Sequence, residues 1–257
     1  MGSGVGGHLV AHGAEVWTTL AGRSAASAER IRKAGIVPVE DLAAIARGCP
    51  VVLSIVPPDR ALAVAQAFAG AYRDGGTPGL LYADCNAVAP ETTKRVGAAI
   101  AAAGMRYVDA SIIGAAPQMG RSGPHIYASG PDAAELAELN AFGLEVRPLD
   151  GPIGHASALK MSYAGITKAY TGIAAAMFAA AERSGVGPAL QREFEEHQQA
   201  LTGWLARQLP QIEPKAYRWI GEMREIGTFC AGEPVAQIYE GMAQYYEGVA
   251  AKQAAKG

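Results

Sequence analysis

Little in this chain of 257 residues points away from an ordinary intracellular globular protein. Cysteine is scarce: three residues, Cys49, Cys85 and Cys230, scattered and odd in number. No C-x-x-C pair exists, so neither a disulfide framework nor a zinc site is expected, and the thiols fit a reducing cytosol. Charge of one sign is also missing. The formal net charge is −2, which leaves no broad basic surface to attract nucleic acid. No uninterrupted apolar run reaches the roughly 18–20 residues of a membrane span. The start has no basic region followed by an apolar stretch, so no secretory signal is expected. A cytoplasmic protein without a nucleic-acid or membrane partner is the resulting expectation. Metal spacing is absent too. His8 and His12 are four apart, but Leu9 stands where a metalloprotease helix needs Glu.

What the chain has is apolar bulk and glycine. Half of its residues are hydrophobic and 32 are Gly, enough for one large domain or two smaller ones. From Ala14 to about Pro148, short β-type runs alternate with helical patterns. The runs are Ala14–Leu20, Ile36–Val39, Pro50–Val56, Leu80–Ala83, Arg106–Asp109, His125–Ala128 and Leu144–Arg147. Helices are expected over Ser27–Ala34, Asp41–Arg47, Arg60–Tyr72, Pro90–Ala103 and Pro131–Phe142. "PVVLSIV" (Pro50–Val56) is nearly continuous in apolar residues, as a strand covered on both faces should be. Such alternation means a Rossmann-like, doubly wound, mostly parallel α/β sheet, whose ligands bind beyond the carboxyl ends of the strands. After the turn-rich Pro148–Pro152 no strand is evident. Helices are expected over Ala156–Ser184, Pro188–Leu209, Pro214–Phe229 and Pro234–Lys252. Two domains follow: 1–152, dinucleotide-binding, and 153–257, all helical.

The opening "MGSGVGGHLVAHG" contains G-x-G-x-x-G at Gly2, Gly4 and Gly7. That motif works only between a strand and a helix. A helix starting at Gly7 would meet Gly13 within two turns, too short to pack on a sheet. A helix starting after Gly2 has three turns. Gly2 therefore reads as the last glycine of a fingerprint whose first strand and first two glycines are absent, with Met1 an internal methionine or a cut end. About 20 residues on, where NAD sites place an acid for the ribose, stand Leu20-Ala-Gly-Arg23-Ser24. Arginine and hydroxyls suit a 2′-phosphate, so NADP is expected rather than NAD.

Several segments together resemble the β-hydroxyacid dehydrogenases and 6-phosphogluconate dehydrogenase, nearest to a branch with its own C-terminal helical domain. "SIVPP" (Ser54–Pro58) is similar to the strand end beside the nicotinamide, which implies cofactor contacts at Val56 and Pro57. "DCNAVAP" (Asp84–Pro90) resembles the segment whose polar residue, Asn86, touches cofactor and substrate. "DASIIGA" (Asp109–Ala115) is similar to the substrate loop, with Ser111 and Gly114 as substrate contacts. "GHASALKMSYAGITK" (Gly154–Lys168) resembles the catalytic helix, with Lys160 at the catalytic lysine. The family's asparagine four residues later is Ala164, its loop serine is Ile113, and its histidine three after the lysine is Tyr163. These departures argue against 6-phosphogluconate as substrate.

The resemblance implies hydride transfer between NADP and a small hydroxy acid or its oxo counterpart. Departure of hydride requires a base for the hydroxyl proton. Lys160 fills that role, since a dry pocket disfavours the ammonium form of a lysine. Tyr163 and Thr167 share its helix face and stand in for the missing asparagine. An imine reductase-like enzyme is the nearest alternative. A non-catalytic NADP-binding protein weakened by truncation is the alternative from another class. The stripe Trp219, Glu222, Met223 and Ile226 reads as packing or a dimer contact, and the apolar helical half as the seat of a homodimer.

Overall fold

The computed structural model describes residues 1–117 and 123–255. The chain divides into two compact units, Met1–Lys160 and Met161–Gly257.

The first unit opens with α1 (Gly2–Ala11), β1 (Trp17–Thr19), α2 (Ala25–Lys33), β2 (Val37–Val39), α3 (Leu42–Gly48) and β3 (Val51–Ser54). It continues with α4 (Ala61–Arg73), β4 (Leu81–Asp84), α5 (Pro90–Ala101), β5 (Arg106–Ile113), β6 (His125–Ser129), α6 (Ala133–Leu136) and β7 (Glu145–Pro148). Local chemistry sets many of these boundaries. Ser24 Oγ accepts from Ser27 N and Asp41 Oδ1 from Ala44 N, capping α2 and α3. Pro90 begins α5, where the missing N–H costs nothing.

Strands β3 to β7 form one sheet in sequence order. All its neighbours are parallel except the antiparallel pair β5–β6. Alternation along the strands builds a core on each face. Leu81, Ala83, Val108, Ala110 and Ile112 face one side with Val5 and Leu9 of α1. Leu80, Tyr82 and Tyr107 face the other, against Phe68 of α4 and Val96 and Ile100 of α5.

Three expectations are corrected. The single sheet is two: β1 and β2 pair in parallel by themselves, and among the described residues no strand joins β1 to β3. The helix expected over Pro131–Phe142 is the short α6 followed by a 3₁₀ stretch ending at Gly143 (φ +79°). Strand β5 runs on to Ile113, four residues past the expected end, because antiparallel β6 continues to bond it there.

The second unit is helical. The long α7 (His155–Arg183) begins in the first unit and enters the second, followed by α8 (Gly187–His197), α9 (Gln199–Gln208), α10 (Ile212–Phe229) and α11 (Ala236–Ala254). The one helix expected over Pro188–Leu209 is two, broken at Gln198 (φ −132°, ψ 44°). Thr202 Oγ1 bridges the break by donating to Phe194 O at 2.9 Å. The stripe on α10 packs as expected: Trp219, Glu222, Met223 and Ile226 are buried. Glu222 does more than fill space, since it ion-pairs with Lys168, which also lies 5.5 Å from the Trp219 ring centre. Among the described residues no helix is long and apolar enough to cross a membrane, and no cluster of three metal-binding side chains occurs. All three cysteines are free, and burial pushes each thiol up. None has the lowered value of a reactive nucleophile.

Candidate functional site

The carboxyl ends of β1, β3, β4 and β5 bring most of the expected residues to one end of the first unit. Helix α1 opens there. It starts at Gly2 with no acidic residue in its first turn and no side-chain cap, so its first amides can meet an anion. A Cβ on Gly2 would lie 3.8 Å from Ile55 Cβ, which puts the helix start against the end of β3. The other opening glycines lie inside α1 and serve packing. A Cβ at Gly6 would stand 2.6 Å from Ile36 Cδ1, and one at Gly7 3.0 Å from Ala34 Cβ. The helix therefore begins at Gly2 rather than at Gly7.

Past β1, Arg23 Nε donates to Thr19 O at 3.0 Å. That bond fixes the guanidinium stem at the strand end, along the same cleft as Gly2 and Val56. Ser24 spends its hydroxyl oxygen on the α2 cap.

Past β3, the turn through Val56 and Pro57 is held by Asn86. Its Oδ1 accepts from Val56 N at 2.6 Å, and its Nδ2 donates to Ser54 Oγ at 3.1 Å and to Asp84 Oδ1. Asn86 is buried, at 3% exposure. Its amide thus shapes the Ser54–Pro57 turn from behind.

Lys160, half-buried in the second turn of α7, donates from Nζ to Ile112 O at 2.8 Å. This holds the amine at the end of β5, two residues before Gly114, where the chain turns at φ +125°. A Cβ there would also press to 3.1 Å of Pro124 Cα, so only glycine suits the position. Ser111 is fully buried and its hydroxyl has no hydrogen-bond partner among the described residues. Tyr163 and Thr167 lie in the second unit. The Tyr163 side chain is half exposed, and Thr167 Oγ1 donates to Tyr163 O.

Sequence reading missed what anchors the lysine helix. Asp109, wholly buried in β5, collects donors from four segments. Ser157 Oγ donates to Oδ1 at 2.7 Å, and Thr93 Oγ1 at 3.2 Å. Ser129 Oγ, Gly154 N and Ser157 N converge on Oδ2 at 2.9–3.0 Å. A carboxylate on the first-turn amides of α7 also suits the helix dipole. The signal was available: an Asp within the otherwise apolar "RYVDASII" must be partnered if buried.

The remaining candidates have structural roles. His8 Nε2 bonds Gly143 O at 2.7 Å, His12 Nδ1 bonds His8 O, and the two ring centres lie 4.3 Å apart with their planes tilted by 41°.

A family model described as the NAD binding domain of 6-phosphogluconate dehydrogenase matches residues 1–141. A second, DUF1932, a domain of unknown function, matches 181–249. The chain is 30% identical over 182 residues to an uncharacterized 28.5 kDa protein in the 7S RNA 5′ region of Methanothermus fervidus, covering 71% of this chain and 68% of that one. Among solved structures, it is similar to the conserved protein MTH1747, described as structurally similar to 3-hydroxyacid dehydrogenases. Identity is 27% and the TM-score 0.70, over 98% of this chain and 94% of that one. Mycobacterium tuberculosis 3-hydroxyisobutyrate dehydrogenase, solved with L-serine, shares the fold at 18% identity and a TM-score of 0.72, over 99% and 91% of the chains.

Proposed function

Because the chain belongs to the family of the 6-phosphogluconate dehydrogenase NAD-binding domain, we propose that it is an NADP-dependent oxidoreductase acting on a small hydroxy acid. The observation that carries this reading is Lys160, whose amine is bonded to Ile112 O at the carboxyl end of the central strand β5. A neutral amine can donate to that carbonyl and still turn its lone pair to a substrate hydroxyl. A bound nicotinamide would accept the hydride that leaves the hydroxyl carbon with the electron pair of its carbon–hydrogen bond. The hydroxyl proton passes to Lys160 Nζ, and the carbon–oxygen double bond forms. In the reverse direction the ammonium returns the proton. In this proposal Ser111 and Gly114 shape the loop end beside the lysine.

The residues present fit NADP. The acid-free start of α1 at Gly2 suits the pyrophosphate, and the Ser54–Pro57 turn braced by Asn86 lines the nicotinamide side. Arg23 and Ser24 stand where a 2′-phosphate would be read, with no carboxylate between Leu20 and Ser24 to repel it. When bound, the cofactor supplies the hydride acceptor or donor. Arg23→Ala should weaken NADPH by about 10- to 100-fold, the worth of charge-assisted hydrogen bonds, and leave NADH nearly unchanged. Nucleotide fluorescence titrations read both. Equal losses for the two nucleotides would assign Arg23 to the fold instead.

The partner proposed is a second copy of the chain. Along α7, Leu159, Ile166, Tyr170, Ile173 and Met177 are large, apolar and exposed, Ile166 at 73%. With Tyr163 they repeat at alternating spacings of four and three, the seam on which one helix packs against another. Light scattering should give twice the 26.5 kDa chain mass. Ile166→Glu should halve the mass without unfolding the helix. A monomer before mutation would contradict the seam.

A further inference from the structure

Two buried carboxylates lie side by side at the ends of the central strands. Asp84 closes β4 and pairs in register with Asp109 of β5. Their exposures are 1% and 0%. Asp109 holds the first turn of α7 through Gly154 N, Ser157 N and Ser157 Oγ. Asp84 reaches the other half of the site, the Ser54–Pro57 turn, through the amide of Asn86. Burying a carboxylate is costly and adds little stability by itself. What it supplies is direction, because it accepts hydrogen bonds and donates none.

An asparagine amide has nearly the same shape when turned over, but one end accepts and the other donates. Asp84 Oδ1 faces Nδ2 of Asn86, and the Val56 N–H, which only donates, faces Oδ1 at 2.6 Å. The reversed amide would set oxygen against oxygen at Asp84 and N–H against N–H at Val56. Both neighbours therefore demand the same orientation. The third contact, Nδ2 to Ser54 Oγ at 3.1 Å, imposes nothing, because a hydroxyl accepts or donates. The amide nitrogen uses both of its hydrogens in this arrangement, one on Ser54 and one on Asp84.

We infer that Asp84 is a positioning residue: it selects the one orientation of the Asn86 amide that holds the Val56 N–H, and so sets the shape of the Ser54–Pro57 turn. Asn86 then acts from behind the turn and has no N–H left to give a substrate acid. Val56 lines the same cleft as Gly2 and Arg23. The shape that Asp84 fixes is therefore that of the wall proposed for the nicotinamide. The use of that wall rests on the NADP reading, whereas the orientation of the amide is independent of it.

The test uses the full chain without nucleotide and reads hydrogen exchange at the Val56 amide, with Val108 of β5 and Val146 of β7 as controls. Asp84→Asn gives Asn86 a neighbour that accepts or donates, so the reversed amide becomes available. Exchange at Val56 should quicken by about fivefold or more, the net worth of one hydrogen bond. The double variant Asp84→Asn with Asn86→Asp interchanges the two groups. The new amide at 84 then donates to the new carboxylate at 86, whose other oxygen accepts from Val56 N. Exchange at Val56 should return to within about twofold of the parent chain. Unchanged exchange in Asp84→Asn, or a rise that the double variant does not reverse, would overturn the inference. So would an equal rise at Val56, Val108 and Val146, which would mark a general loosening of the sheet. Titration of the same three proteins with NADPH separates this inference from the cofactor reading. Affinity should fall in Asp84→Asn and recover in the double variant. Equal affinities beside the expected exchange pattern would uphold the role of Asp84 and move the nicotinamide away from this turn.

Discussion

Asp109→Ala should lower the thermal midpoint by roughly 10 °C, the largest stability loss expected from any single polar residue in the first unit. The carboxylate is wholly buried and takes five hydrogen bonds, from Thr93, Ser129, Gly154 and twice from Ser157. Deleting it strands those donors away from water. At about 1–3 kcal/mol for each buried group left unsatisfied, partly relieved by rearrangement, the sum is about 3–5 kcal/mol. Asp109→Asn keeps the shape and one acceptor oxygen, so its loss should be about half. A scanning melt of the three proteins checks the order. An unchanged midpoint for Asp109→Ala would mean that the network holds nothing.

The second large effect is kinetic. Lys160→Met keeps the length and the apolar stem of the side chain but removes the amine bonded to Ile112 O. Turnover of the hydroxy acid should fall by about 10²- to 10⁴-fold, the usual worth of a positioned acid or base. Nucleotide affinity should stay within about twofold, because the proposed cofactor contacts are on other elements. Steady-state rates beside a nucleotide titration separate the two. A variant that turns over normally would remove Lys160 from the chemistry. The two predictions are linked through one helix. Asp109 fixes the first turn of α7 and Lys160 extends from the second, so Asp109→Asn should also lower turnover, by less than Lys160→Met does.

Much of the fold was legible because its signals are local. The apolar runs of β3 and β4, the Ser24 and Asp41 caps and Pro90 at the start of α5 each sit within a few residues of what they specify. The length of β5 was not legible, because its last residues are held by β6, whose pairing partners lie up to 20 residues away. The break at Gln198 had no glycine or proline to announce it. At the site, Lys160, Asn86 and Gly114 were reached through resemblance, and the structure gives two of them physical duties. The amide of Asn86 braces the Val56 turn, and Gly114 makes a turn that other residues would strain. The Asp109 network escaped because its partners are 16 to 48 residues distant in sequence. Only the misplaced charge in an apolar strand marked it. The two-sheet arrangement was not legible, because the apolar runs of β1 and β3 read alike whether or not they share a sheet.

The central claim is hydride transfer, and isotope transfer tests it most directly. The chain would be incubated with NADP⁺ and a set of small 3-hydroxy acids deuterated at the hydroxyl carbon, and the reduced nucleotide examined by mass spectrometry. Deuterium in the NADPH from at least one acid, absent with Lys160→Met, is the result expected. Saturable NADP⁺ binding with no label from any acid would contradict the account and leave a nucleotide-binding protein that is not a hydroxyacid dehydrogenase.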